Sequence, residues 1–414
     1  MPSPDLRLTM FLPPDDTVRV WQLREELRPS VRWHEMMHED HATAFTVAKI
    51  ARLDLLRTIR TSLDTVIRNG GTFESWKANL LPELKKSGWW GSVADLDLTG
   101  TTETIIVNER RLHTIFNTNL RMSEAAGAWS KIQREKDRFP YLRYLSHHWR
   151  RHPRQDHLSW HGLILPVDHP WWQTHFPPNG WGCKCHFEQV SDARMQRKGW
   201  KVSTPPDDGP PSRFFATGRS EPIMVPVGIH PGFGYNPGTA HLRAIADKAN
   251  SSIDRAVAAG LSRQARHAVE EIVADPAFDQ FLELPDQPFP VQVLDAIKSK
   301  VIGGNRQVVR LSSATMEKQV NVHAELNSAS YRLLPKLIAE PDRIELQPDR
   351  RTAFYKRIDG RWWRGVVKST ADGEEMYAIS LHALRDGEFA RIELSRQLLE
   401  GWVGFFDKLK KGAG

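Results

Sequence analysis

Cysteine is nearly absent. The 414-residue chain holds only Cys183 and Cys185, which excludes a disulfide framework and fits a reducing compartment. No stretch approaches the roughly 18 uninterrupted apolar residues of a spanning helix, so no membrane partner is expected. The first residues, MPSPDLRLTMFLPPDD, lack the basic stretch followed by an apolar core that marks a signal peptide. Synthesis and use in a cytoplasm are the expectation. Also missing are a Walker-type phosphate loop, a dinucleotide fingerprint, a His-Glu-x-x-His helix and a Gly-x-Ser-x-Gly elbow. Gly303-Gly304 reads as a turn only. A nucleotide-driven motor is therefore disfavoured. The chain has no internal repeat and no low-complexity tract.

What is present is an ordinary globular composition, 40% hydrophobic and 26% charged, neither disordered nor membrane-spanning. A chain of 414 residues exceeds what one core usually supports, so two or three domains are expected. Net charge is +7 and the pI about 9.3, a mild bias towards anionic partners such as nucleic acid or an acidic protein surface. Tryptophan is abundant, with 15 residues. Trp89-Trp90, Trp171-Trp172 and Trp362-Trp363 come as pairs, as buried anchors or subunit contacts do.

The first thirty residues carry few regular signals and read as an arm. From Asp40 to Arg68 apolar residues recur helically, with Leu56, Ile59, Leu63 and Val66 on one face. Asn69-Gly70-Gly71 stops that helix, and Thr72 caps the next, which holds Phe73, Trp76 and Leu80. A third helix is predicted from about Glu109 to Trp129, with Leu112, Ile115, Phe116 and Leu120 inward. Residues 157–190 are rich in Gly, Pro and Trp, as expected of an ordered module of loops and short strands. TPPDDGPPS from Thr204 is a linker by composition. After HPGFGYNPG a helical region is predicted from about Thr239 to Ala274, ended at Asp275-Pro276. Two short helices, Ser313–His323 and Ser330–Ala339, precede four strands: Arg343–Gln347, Ala353–Ile358, Trp362–Lys368 and Met376–Leu381. Asp359-Gly360 and Asp372-Gly373 separate successive strands as hairpin turns do.

The most informative segment is HLSWHGLILPVDHPWWQTHFPPNGWGCKCHFE, His157 to Glu188. It resembles the signature of the phage Mu protein F-like head morphogenesis family. The matching positions are His157, Gly162, Asp168, Pro170, Trp172, Pro177, Pro178, Gly180, Gly182, Cys183, Lys184 and Cys185. Lys184 stands where the family more often has Arg, which keeps the charge and loses bidentate recognition. Segments from His41, Gly71, Ile115 and Gly232 agree in order, so the resemblance covers roughly residues 35–240. It implies a minor head protein of a tailed bacteriophage, present in the virion and acting in prohead assembly and DNA packaging near the portal. Its partners would be portal, capsid or scaffold proteins.

Cys183, Cys185 and His186 lie close in sequence to His157, His161, His169 and His175. Thiolates with imidazoles suit a structural zinc site, and Cys183, Cys185, His157 and His175 are the candidate ligands. Against this, Cys-x-Cys is tighter than the usual Cys-x₂-Cys spacing, and the cysteines also read as small buried residues under the Pro-Pro loop. Arg143, His147, His148, Arg150, Arg151, His152 and Arg154 form the best nucleic-acid footprint, segment 143–154. A solvated face is the competing reading.

The last region resembles the small barnase–EndoU–colicin–RelE-like nuclease domains found at the ends of phage head proteins. That resemblance implies His323 for proton transfer, Lys318 and Lys368 for phosphate charge, and Ser380 for orientation. A docking module is the alternative. The expected fold class is thus α+β. Residues 1–34 are read as the arm, 35–203 as a mainly helical head-morphogenesis domain with its loop-rich Cys-x-Cys module, and 204–285 as linker and helical connector. Residues 286–414 are read as a small α+β domain with an antiparallel meander. Assembly is the primary role and a virion-carried RNase-like effector the second.

Overall fold

The computed structural model describes residues 15–96, 102–146, 153–274, 278–281, 288–320, 326–385 and 388. The fold is α+β. The chain divides into two compact units, Met1–Ala244 and Ile245–Gly414. Among the described residues, no helix is long and apolar enough to cross a membrane.

The first unit is organised by the 27-residue helix Glu109–Glu135, whose N-terminus is capped by the Asn108 side chain accepting from the Arg111 N–H. Leu112, Ile115 and Phe116 face inward from it, as their helical spacing predicts. They join Leu56, Ile59, Leu63, Trp76, Leu80 and Trp89 in one apolar core. Burying each such side chain stabilises by about 1.5–3 kcal/mol. Trp76 satisfies its indole N–H on Ser62 Oγ at 2.9 Å. Thr72 caps the helix Phe73–Lys86, as its position before the apolar run predicts.

Helix Asp15–Leu23 also packs on Glu109–Glu135. A Cβ on Gly127 would lie 2.7 Å from the Thr17 backbone nitrogen, so only glycine permits this approach. Trp21 is fully buried and Thr17 nearly so. Thr17, Val20 and Trp21, inside the segment read as an arm, are therefore buried in this unit. The signal is a nine-residue helix, too short to register by periodicity.

The helix expected from Asp40 is interrupted. Asp40–Thr43 is one helical turn, Ala44–Phe45 pairs in parallel with Glu26–Leu27, and the long helix starts at Leu53. Lys49, with φ of 64°, marks the break. Gly260, with φ of 79°, likewise splits the predicted 239–274 region into Pro237–Ala258 and Ser262–Ala274. Three antiparallel elements complete this unit's scaffold among the described residues: the pair Gly91–Leu96 with Thr102–Val107, the pair Ser212–Phe214 with Ile223–Val225, and a three-stranded sheet. In that sheet Tyr141–Leu145 is central, flanked by Ile164–Pro166 and His186–Val190.

The second unit is built on one six-stranded sheet. Its order is Phe289–Val293, Val308–Leu311, Met376–Ala383, Arg361–Ser369, Arg351–Ile358, Arg343–Gln347. The last four strands form the expected meander, and Asp359 and Gly360 both take positive φ at its tight turn. The pairing of Val308–Leu311 with Met376–Ala383 is parallel. Both it and the fully buried strand Phe289–Val293 lie outside the predicted elements, because continuous apolar burial leaves no alternation to read. The predicted Ser330–Ala339 helix is two pieces, Ser328–Tyr331 and Leu334–Ala339. Gly365 lets the second piece sit close: a Cβ there would fall 2.3 Å from Leu337 Cδ2.

Candidate functional site

The motif segment is a chain of short, tightly held turns. Gly162, with φ of 86°, leads from the helix Gln155–Ser159 into the strand Ile164–Pro166. Trp172 is fully buried and donates its indole N–H to the Pro166 carbonyl at 3.0 Å. Pro177 and Pro178, joined by a cis peptide bond, are buried, and the Cys183 N–H closes a turn on the Gly180 carbonyl. Gly182 supplies the positive φ (64°) that this turn requires.

From there the chain is extended, and alternate residues point to opposite sides. Cys183 and Cys185 are buried, whereas Lys184 and His186 are exposed. Arg121, on the helix Glu109–Glu135, fixes this loop from outside the motif. Its guanidinium donates to the carbonyls of both Cys183 and Cys185, the latter at 2.7 Å.

His157 meets the two thiols. Its Nδ1 lies 3.4 Å from Cys185 Sγ and 3.7 Å from Cys183 Sγ. Its Nε2 lies 3.0 Å from the Gly228 carbonyl, an acceptor only, so Nε2 carries the proton and Nδ1 presents its lone pair. The ring stacks on Trp160 with centroids 5.0 Å apart. Gly228 has φ of 79°, and a Cβ there would fall 2.6 Å from Asp156 Cβ and 2.9 Å from the Trp160 ring.

Proximity splits the two thiols. The hydrogen bond from Cys183 favours the Cys185 thiolate most, against burial and with help from Tyr144. The same bond, together with burial, holds the proton on Cys183. Burial and the neighbouring thiols raise Tyr144 well above its ordinary value. Its hydroxyl donates to Asn179 Oδ1 at 2.9 Å.

The structure thus gathers three of the four candidate ligands, all buried, with their ligand atoms within 4.8 Å of one another. His175 does not join them. Its Nδ1 faces the Trp171 carbonyl and Thr174 Oγ1, and its ring stacks on Trp171 at 4.2 Å. Burial lowers its pKa to about 4, so it is a neutral core residue. Among the other motif positions, Gly180 is buried and packs against Arg154, while Asp168 and Pro170 are exposed, with Asp168 3.6 Å from Lys136.

The basic segment is partly committed to the fold. Arg143 pairs with Glu188 at 3.0 Å and lies over the Trp200 ring, and Arg154 donates to the Trp181 carbonyl at 2.9 Å. His147, His148, Arg150, Arg151 and His152 lie outside the described residues. So does His323 in the second unit. Lys318 is exposed on the helix Ser313–Val320. Lys368 is exposed opposite Tyr377, and Ser380 is half-buried opposite Val366. Among the described residues no strand pairing or hydrogen bond draws these three together.

Arg121, Gly228, Tyr144 and Asn179 are the site residues that sequence reading missed. An arginine on a long helix reads as solvent-facing, and Gly228 is 71 residues from the histidine it serves. A cavity of about 450 Å³ opens within the same unit, with Arg24, His41, Asn119 and His241 among its lining residues. Burial lowers Arg24 to about 10, and Arg24 donates to Asn119 Oδ1 at 3.0 Å.

Comparison with known proteins finds similarity over the segment that holds this site. Residues 57–188 match the model described as "Phage Mu protein F like protein". The chain is 36% identical over 200 residues to "Putative capsid assembly protein F" of Escherichia phage Mu, covering 48% of this chain and 45% of that protein. It is 38% identical over 172 residues to "Mu-like prophage FluMu F protein" of Haemophilus influenzae, covering 42% and 41%. The chain spans less than half the length of these curated relatives. No solved structure matches it.

Proposed function

We propose that this chain, Mu F-like over residues 57–188, is a minor head protein of a tailed bacteriophage that acts in prohead assembly. The observation that carries this reading is where the match falls. It contains the Arg121 clamp, the Pro-Pro turn and the Cys-x-Cys loop, and one relative sharing the sequence is named a capsid assembly protein. The geometry supports a docking role. The inward residues of the loop are fixed, while Trp181, Lys184 and His186 are exposed on its outer side. A patch of aromatic and basic side chains on a rigid loop suits a partner protein with an acidic rim.

Placement near the portal, and a part in DNA packaging, follow from the same reading. The chain would be in the host cytoplasm during assembly and in the head afterwards. Deleting its coding sequence from the phage or prophage should leave empty or aberrant heads. A normal yield of DNA-filled heads would overturn the proposal.

A second reading concerns Ile245–Gly414 alone. This unit lies beyond the family match and has its own six-stranded sheet, as a separately acting effector would. RNA cleavage by the full chain, abolished by His323→Ala, would support an RNase-like activity. Intact RNA would leave a docking module.

A further inference from the structure

We propose that His157 Nδ1, Cys183 Sγ and Cys185 Sγ bind a single Zn²⁺ ion, with water in the fourth position. Tetrahedral zinc with Zn–S near 2.3 Å and Zn–N near 2.0–2.1 Å sets sulfur and nitrogen about 3.6 Å apart. The two separations here, 3.4 and 3.7 Å, bracket that value. The Nδ1 atom and both sulfurs converge within 4.8 Å of one another. A cation placed between the three atoms uses all of them.

Three further features point the same way. The His157 tautomer is set by the Nε2–H bond to the Gly228 carbonyl, the outer-shell arrangement that metal-ligating histidines use. The backbone carbonyls of both cysteines are held by Arg121, so the sulfurs are positioned without the ion. Charge closes as well: two thiolates and Zn²⁺ sum to zero, so the filled site buries no net charge. Binding takes both cysteines as thiolates, so the proton held on Cys183 is released to solvent and no oxidation state changes.

Calcium and magnesium are excluded by the ligand type, since they require oxygen donors. Among the described residues no fourth His, Cys, Asp or Glu joins the group. Ser146 Oγ, 3.9 Å from Cys185 Sγ, is a polar neighbour for the water. The ion would tie the Gln155–Ser159 helix to the Cys-x-Cys loop, two segments that share little regular structure. This inference does not depend on the assembly role.

The test uses the full chain, purified without a metal-affinity column. Elemental analysis should find about one zinc per chain. Replacement by Co²⁺ should give a thiolate-to-cobalt charge-transfer band with the strong visible absorption of a tetrahedral site. The C183S/C185S double variant should lose both signals, and Lys184→Ala should keep them. If the double variant fails to fold, the cobalt spectrum of the unaltered chain decides alone. A chain exposed to ZnCl₂ that retains no metal and gives no cobalt spectrum overturns the proposal. Copper found in place of zinc overturns the assignment of the ion.

Discussion

Residues 141–230 and residues 289–383 fix their side chains by different means. The first segment relies on loops whose ends are held by a few long-range bonds: Arg121 to two carbonyls, Tyr144 to Asn179, His157 to Gly228. The second relies on a sheet in which each strand is specified by its neighbours over rungs such as Arg351↔Lys368 to Ile358↔Arg361. A loop module concentrates its stability in single contacts, whereas a sheet spreads it. The contrast predicts that point changes hurt the first region more.

Acid should separate the two units most. His175 and His241 are buried in the first unit, and burial lowers each to about 4. Both are neutral when folded and take up a proton on unfolding below their ordinary value of 6.5. Stability is therefore full above about pH 6.5 and declines as pH falls towards 4, by at most about 1.4 kcal/mol per pH unit for each. Hydrogen exchange at pH 7 and pH 5 should show protection falling in Met1–Ala244 more than in Ile245–Gly414. Equal losses would break the contrast.

Next in size is Arg121→Ala. Two charge-assisted bonds are lost and two carbonyls are left behind, at about 3 kcal/mol. Urea unfolding should show it, with Arg121→Lys recovering only part, because an ammonium cannot span both carbonyls. A shift under about 0.5 kcal/mol would mean the clamp is incidental. Gly228→Ala should cost about 2 kcal/mol, from positive φ and collision with Asp156 and Trp160. It should also disturb the His157 ring, visible as a changed histidine resonance. In the sheet, Gly365→Ala collides with the end of the Leu337 side chain and otherwise makes ordinary contacts, and about 1 kcal/mol is expected. Lys318→Ala and Lys368→Ala, both on exposed positions, should change thermal stability by less than about 0.5 kcal/mol.

Legibility follows the same division. The strands of 343–383 could be read because apolar alternation and Asp-Gly turns are local signals. The buried strands 289–293 and 308–311 could not, since neither alternates and one pairs in parallel with a strand 65 or more residues on. Within the candidate site, Cys183, Cys185 and His157 were legible by residue type. His175 was an equally good candidate by type and spacing, and only the fold turns it onto Trp171. Arg121 and Gly228 act through backbone carbonyls, and such contacts leave no trace in residue identity. The Trp89 and Trp171-Trp172 anchors are buried as pairing suggested, whereas Trp362 and Trp363 are only half-buried.

The central proposal is that this chain acts in the phage head. Mass spectrometry of gradient-purified proheads and mature particles tests it most directly. The account predicts peptides from the Cys-x-Cys region in both, at a ratio to the major capsid protein that stays constant across the particle peak. Particles that assemble and carry DNA with no peptide of this chain would contradict it.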